Sequence, residues 1–195
     1  MDQDTVDIKE YLEGSMSAFH RLYTRYERQL FFYISSMVRN NETAEDLFQD
    51  VWMQVLKKLS SFSFKGKFSN WLYTIAHHKV IDYTRSSGTR QSAHLEDTIS
   101  SEDTATFHDV LADPAPDVLH TLSTRELYER VLQVVETLPA EQREVFLLRS
   151  DAGMKFKEIA AMMNISINTV LGRMHYAVSR IRQELKHEYH EHETI

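Results

Sequence analysis

The segment KFKEIAAMMNISINTVLGRMHYAVSRIRQELK, residues 155–186, decides the fold class. Its first part, Lys155 to Met163, is predicted as a short helix, Asn164-Ile165-Ser166 as a tight turn, and the rest as a long helix capped by Ser166. Asparagine tolerates the left-handed backbone that ends a helix almost as glycine does. A short helix, a three-residue turn and a longer helix, with Ala160 and Ile165 at the inner bend, is the helix-turn-helix pattern. On the long helix Val170, Met174, Ala177, Ile181 and Leu185 recur at helical spacing and form the buried stripe. The opposite face presents Asn168, Thr169, Gly172, Arg173, His175, Tyr176, Ser179 and Arg180. Two uses of such a corner stay open. In one it contacts DNA, residues near the helix start meeting base edges and cations meeting phosphate. In the other it is a structural helical junction.

Outward toward the N-terminus, Ser123-Thr-Arg-Glu126 is a capping box that opens a helix carrying Leu127, Val131, Val134, Val135 and Leu138. Pro139 breaks that run and starts a second helix reaching Gly153. Residues 89–122 read differently: rich in Ser, Thr, Asp and Glu, with Pro114 and Pro116 and little periodicity. So long a structureless run inside one compact domain is unusual, so it is predicted as an acidic linker. The expected organisation is two small helical domains, residues 1–88 and 123–195, joined by a flexible tether. The fold class is all-α.

The net charge of −7 argues against a nucleic-acid partner only until it is divided along the chain. Residues 1–86 hold 11 basic and 11 acidic side chains, residues 87–122 hold 1 and 7, and residues 123–195 hold 10 and 11. The acidity belongs to the middle segment, and the distribution of charge matters more than its sum.

In the first half, Ser15–Val38 repeats apolar residues at helix spacing, ending at Asn40-Asn41. Thr43 then opens a helix to Leu59, with Leu47, Phe48, Val51, Trp52, Val55 and Leu59 in one arc. Glu45, Asp46, Gln49 and Asp50 fall on the other side, either a solvated face or a docking face for a basic partner. Next comes FSFKGKFSNWLYTIAHHKVIDYTR, residues 62–85, which interleaves aromatics with Lys65, Lys67, Lys79 and Arg85. Cation beside aromatic suits a surface that holds phosphates while bases stack on rings, or the aromatics are core and the lysines a solvated face. Ser60–Ser69 is predicted as a loop and Trp71–Arg85 as a helix, with Trp71, Leu72, Ile75, Ala76 and Val80 inward. Thr74, His77, His78, Lys79, Asp82 and Arg85 are left for its polar surface. Adjacent histidines do not share a helix face as metal ligands usually must, so no metal is expected.

With 195 residues, 42% hydrophobic and 26% charged, the composition is that of a globular protein. Zero cysteines excludes disulfides and thiolate metal sites. The acidic start MDQDTVDIKEYLEG lacks the basic-then-apolar pattern of a signal peptide, and no run approaches the roughly 20 apolar residues of a membrane span. A cytoplasmic location without membrane insertion is expected. No phosphate-cradling glycine loop or nucleophile-base-orienter set is present, so neither an enzyme nor a cofactor is expected. The tail HEYHEHETI reads as a frayed polar terminus.

Four stretches together, TAEDLFQDVWM (43–53), FSNWLYTIAHHKVIDYTR (68–85), LPAEQREVFLLR (138–149) and KEIAAMMNISINTVLGRMHYA (157–177), resemble a bacterial sigma factor of the extracytoplasmic-function (ECF) group of the sigma-70 family, in that family's order. The resemblance implies core RNA polymerase, promoter DNA and an anti-sigma factor as partners. It gives Glu45, Asp46, Gln49 and Asp50 to the helix that docks on the polymerase clamp. It gives Phe64, Lys65, Lys67, Phe68 and Asn70 to the loop and helix start that open the minus-ten element. Thr74, His77, His78, Lys79 and Arg85 go to the helix that reads or anchors that element. Asn168, Thr169, Arg173, His175, Tyr176 and Arg180 go to the minus-thirty-five recognition helix. The chain departs from the family at Leu171, where a basic residue is usual, at Tyr176 and Val178, where arginines are, and at His78, where many relatives carry Asn. Fewer cations predict weaker, less salt-sensitive binding upstream. Two rivals remain: a sigma-like decoy that sequesters an anti-sigma factor, and a stand-alone helix-turn-helix repressor.

Overall fold

A computed structural model describes residues 2–86 and 124–192, with side chains placed for 2–86 and 127–185. The expected linker, the side chains of the capping box at 123–126 and those of the histidine tail lie outside the described residues. Every regular element among the described residues is helical: α1 (Gln3–Leu12), α2 (Met16–Val38), α3 (Asn41–Lys58), α4 (Phe68–Ser86), α5 (Thr124–Thr137), α6 (Ala140–Ser150), α7 (Phe156–Met163) and α8 (Ile167–His192), with a single 3₁₀ turn at Leu59–Ser61. They form two compact units, α1–α4 and α5–α8.

In the first unit α2 packs against α1, α3 and α4, and α3 packs against α4. Ala18, Leu22, Tyr26, Leu30, Tyr33 and Ile34 of α2 are buried because their three- and four-residue spacing keeps them on one face. Arg39 ends α2 in the left-handed region at φ 54°. Asn40 then caps α3, its carboxamide oxygen accepting from the Thr43 N–H at 2.9 Å. The helix thus begins two residues before the expected Thr43, because Asn40 supplies the side-chain acceptor there. Its expected inward arc holds: Leu47, Val51, Trp52, Val55 and Leu59 are buried and Phe48 half-buried. Helix α4 starts at Phe68, earlier than expected, because the Phe68 side chain is itself core at 1% exposure.

Helix α1 is absent from the sequence reading, which saw only an acidic start. Asp2 caps it by accepting from the Thr5 N–H at 2.8 Å. Ile8 is fully buried, and Asp7 is fully buried between Arg21 and Arg25 of α2 at 2.8 and 2.7 Å. Gly14, at φ 108°, makes the turn into α2, a conformation that side-chain-bearing residues rarely adopt.

In the second unit α8 packs on α5, α6 and α7. Val135, Val145, Leu147, Leu148, Ile159, Val170 and Ala177 are fully buried. Arg143, 2% exposed, donates from Nη2 to the Leu138 carbonyl at 3.1 Å and closes the α5–α6 corner. The α7–α8 turn is as expected: Asn164 is left-handed at φ 55°, and Ser166 Oγ accepts from the Thr169 N–H at 3.0 Å.

Candidate nucleic-acid interface

The loop between the 3₁₀ turn and α4 is built on a buried aromatic cluster. Phe62 (8% exposed) lies 5.2 Å from Trp71, 5.9 Å from Phe68 and 5.4 Å from Phe64, centroid to centroid. Such tilted and edge-on pairs add about 0.5–1.5 kcal/mol each beyond area burial. Phe64, at 44% exposure, is the most exposed ring of this cluster, with Lys65, Gly66 and Lys67 exposed beside it. Phe68 belongs to the cluster's interior, which corrects the expectation that it faces DNA: it anchors the loop.

Along α4 the expected polar surface is narrower than the sequence reading made it. His78 and Arg85 are exposed and Thr74, Lys79 and Asn70 are half-buried, but His77 is buried at 7% exposure. The reason is packing. Helix α4 lies against both α2 and α3, so its buried sector widens past the Leu72–Ala76 edge to take in Tyr73 and His77. His77 therefore lies in the packed interior and not on the polar surface expected for it; its ring lies 5.7 Å from that of His78. The Thr74 hydroxyl donates to the Asn70 carbonyl at 2.7 Å.

Glu45, Asp46, Gln49 and Asp50 are all exposed on α3, as expected. Asp50 is also paired across to α4, its carboxylate 2.8 Å from Lys79 Nζ. Two expected contact residues from different elements thus bind each other and tie the acidic face to the α4 surface.

On α8, Asn168, His175, Tyr176 and Arg180 are exposed, and Thr169 and Arg173 are half-buried. Arg180 pairs with Glu184 one turn on, at 2.7 Å. Arg173 is left as the cation on this face of α8 with no acidic partner among the described residues. Tyr176 and Arg180 also border a groove of about 270 Å³ against Thr137, Leu138, Pro139 and Gln142 at the α5–α6 corner. Leu171 and Val178 are half-buried and flank the apolar stripe. Among the described residues no cluster of His, Cys, Asp or Glu is arranged to hold a metal, and no helix is long and apolar enough to cross a membrane.

Sequence reasoning missed α1 and its contacts with this site. The Lys9 ammonium stands over the Phe64 ring, 5.6 Å from its centroid. Asp4 accepts from the Tyr26 hydroxyl, and the Tyr26 ring lies 5.5 Å from that of Phe68. Burial, then the Asp4 carboxylate, push the Tyr26 phenol well above its ordinary pKa, so it remains a donor. The available signal was the acids at positions 4, 7 and 10 facing Arg21 and Arg25, a pairing that periodicity of apolar residues does not register.

Comparison with known proteins agrees with this architecture. Sigma-70 region 2 matches residues 22–90 and Sigma-70 region 4 matches residues 128–184. The RNA polymerase sigma factor CarQ of Myxococcus xanthus is 29% identical over 91% of this chain and 95% of its own length. The ECF RNA polymerase sigma-E factor of Escherichia coli is 27% identical over 94% of each chain. The ECF sigma factor BldN of Streptomyces coelicolor is 30% identical over 83% of this chain and 60% of its own length. In fold, the chain is similar to CnrH in complex with the cytosolic domain of CnrY (TM-score 0.56, 22% identity, 95% and 98% of the two chains covered). It is also similar to RpoE of Bartonella quintana in complex with the anti-sigma factor NepR (TM-score 0.56, 24% identity, 86% and 96% covered). With both regions matched in order and full-length relatives aligned across both units, the chain belongs to the sigma-70 family of RNA polymerase sigma factors, in its extracytoplasmic-function group.

Proposed function

We propose that this sigma factor divides its work among three surfaces. The acidic face of α3 (Glu45, Asp46, Gln49, Asp50) docks on core RNA polymerase. The Phe64 loop and the exposed side of α4 (Lys65, Lys67, Asn70, Thr74, His78, Lys79, Arg85) capture and anchor the opened minus-ten element. The outer face of α8 (Asn168, Thr169, Arg173, His175, Tyr176, Arg180) reads the minus-thirty-five element. Residues 89–122 link the two units as an acidic tether. The chain supplies no nucleotide chemistry and works in the cytoplasm with the polymerase. An anti-sigma protein is a fitting regulator, since RpoE, of the same fold, is in complex with one.

The observation that carries this reading is Phe64, a half-exposed ring held on a buried aromatic base and flanked by lysines. Unstacking a base costs a few kcal/mol, and a stacked ring returns about 1–3 kcal/mol. The unit therefore needs only to trap bases as they open. The test is to mix the full chain with core polymerase and promoter DNA and to measure open complex and transcript. Binding of polymerase without opening would favour the decoy, a reading supported by the charge-balanced Arg180 and by Leu171, Tyr176 and Val178 at positions where the resemblance leads one to expect cations. Duplex binding without polymerase would favour the repressor.

The ion pair on α3 makes a further expectation specific. Asp46→Arg weakens core binding by about fivefold, mainly through the association rate. Asp50→Ala weakens it less, because its charge is already matched by Lys79. Equal effects of the two in a core-binding titration would show that the acidic face does not dock as proposed.

A further inference from the structure

Helix α1 and the start of α2 precede residue 22, where the match to region 2 begins, yet α1 touches the loop directly through Lys9 and braces it indirectly through Tyr26. Lys9 Nζ lies over Phe64, 5.6 Å from its centroid. Asp4 holds the Tyr26 hydroxyl, and Tyr26 in turn packs on Phe68, the loop's anchor. The Asp2 carboxylate is held below its ordinary pKa first by hydrogen bonds from Thr5 and additionally by the charge of Lys67. The ammonium stands over one side of the Phe64 ring and Phe62 packs steeply against it at 5.4 Å, yet the ring stays 44% exposed, so part of it is open to a partner. A base stacked on the open part would carry its phosphates past the ring's rim, where Lys9, Lys65 and Lys67, all exposed, stand around Phe64.

We propose that α1 is a wall of the single-strand site, with Lys9 serving both as the positioning residue for the Phe64 ring and as a phosphate contact for the captured promoter strand. This rests on the assignment of the Phe64 loop to base capture and adds to it a residue outside the matched region. The two functions of Lys9 are compatible because its ammonium has three donors and lies near the protein surface, where a phosphate can approach without displacing the ring.

The experiment uses holoenzyme assembled from core polymerase and the full chain. Its probe is a set of short single strands that the wild-type holoenzyme enriches from a randomised pool. Dissociation constants are measured across a series of KCl concentrations for wild type, Lys9→Gln, Lys9→Arg and Phe64→Ala. Lys9→Gln is expected to weaken binding by about two- to fivefold. It should also reduce the slope of log K against log salt by about 0.7, the value of one single-strand phosphate contact. Lys9→Arg restores both, which a purely structural role for the side chain would not require of the slope. Unchanged affinity and slope in Lys9→Gln would overturn the proposal, and weaker binding with an unchanged slope would overturn the phosphate contact. Phe64→Ala reports separately on the parent reading: if it binds the strands as wild type does, base capture at the loop fails whatever Lys9 does. Thermal melting of each variant confirms that exposed-site changes leave the fold intact.

Discussion

Phe64→Ala holoenzyme should form open complexes about 5- to 150-fold less readily than wild type while binding core polymerase normally. The range is that of one lost base–aromatic stack, about 1–3 kcal/mol, and three features of the site place the effect on opening. Phe64 is the most exposed ring of its cluster, at 44%. Its removal leaves Phe62, Phe68 and Trp71 in mutual contact at 5.2–5.9 Å, so the platform below it survives. The acidic face of α3 lies on another helix and keeps its side chains. Permanganate footprinting of the melted region, set beside a core-binding titration, reads the two steps apart. Lys67→Ala should lower opening in the same direction by a smaller factor, since an exposed cation contributes attraction but no stack. Normal permanganate reactivity in Phe64→Ala would remove the loop from the opening mechanism. Loss of core binding in step with opening would mean that the ring supports the fold and not the strand.

The helices that periodicity marks are present in the structure, which adds α1 to them. The apolar arc of α3, the stripe of α8 and the left-handed Asn164 were all readable, because each depends on residues within one or two turns of one another. The misses have one physical origin. His77 falls on the expected polar surface because a helical wheel gives α4 one buried face, whereas α4 packs against two helices and buries a wider sector; Phe68 is expected in a loop, and the helix begins early enough to take it into the core. Helix α1 went unseen because few of its residues are apolar and its attachment is ionic. Asp4, Asp7 and Glu10 find partners at Arg21 and Arg25, some 11 to 21 residues away, and no local pattern carries that pairing. The Asp50–Lys79 bridge is hidden for the same reason: both residues were recognised as polar surface, but not as each other's neighbours.

That ionic attachment yields the second large effect. Asp7→Asn should destabilise the first unit by about 1.5–3 kcal/mol at neutral pH, the range of hydrogen bonds to a charged group. The carboxylate is fully buried and accepts from Arg25 Nη2 at 2.7 Å, from Arg21 Nε at 2.9 Å and from Gln3 at 3.4 Å. Arg21 and Arg25 are 44% and 34% exposed, so in the variant their guanidinium groups reach water and are not stranded. That keeps the loss below the roughly 3–5 kcal/mol of a fully buried pair. The pH dependence has a definite sign. Burial alone would raise the Asp7 pKa, but the hydrogen bonds from Arg25, Arg21 and Gln3 outweigh it and hold it below the ordinary carboxylate value. A group with a lowered folded-state pKa contributes stability above its unfolded value of about 3.9 and loses it as pH falls through the folded value. The gap between wild type and Asp7→Asn should therefore be full at neutral pH and shrink steadily below about pH 4. Both tryptophans of the chain, Trp52 and Trp71, lie in the first unit, so urea titration followed by their fluorescence reports that unit alone. A gap that persists unchanged into strong acid would mean that packing, not charge, fastens α1. No gap at neutral pH would mean that Ile8 alone holds the helix. If the gap behaves as expected, α1 is held by charge, and loosening it withdraws Lys9 from Phe64 and the Asp4–Tyr26 brace from Phe68 together. Asp7→Asn should then lower promoter opening as well, although Asp7 touches neither DNA nor the loop.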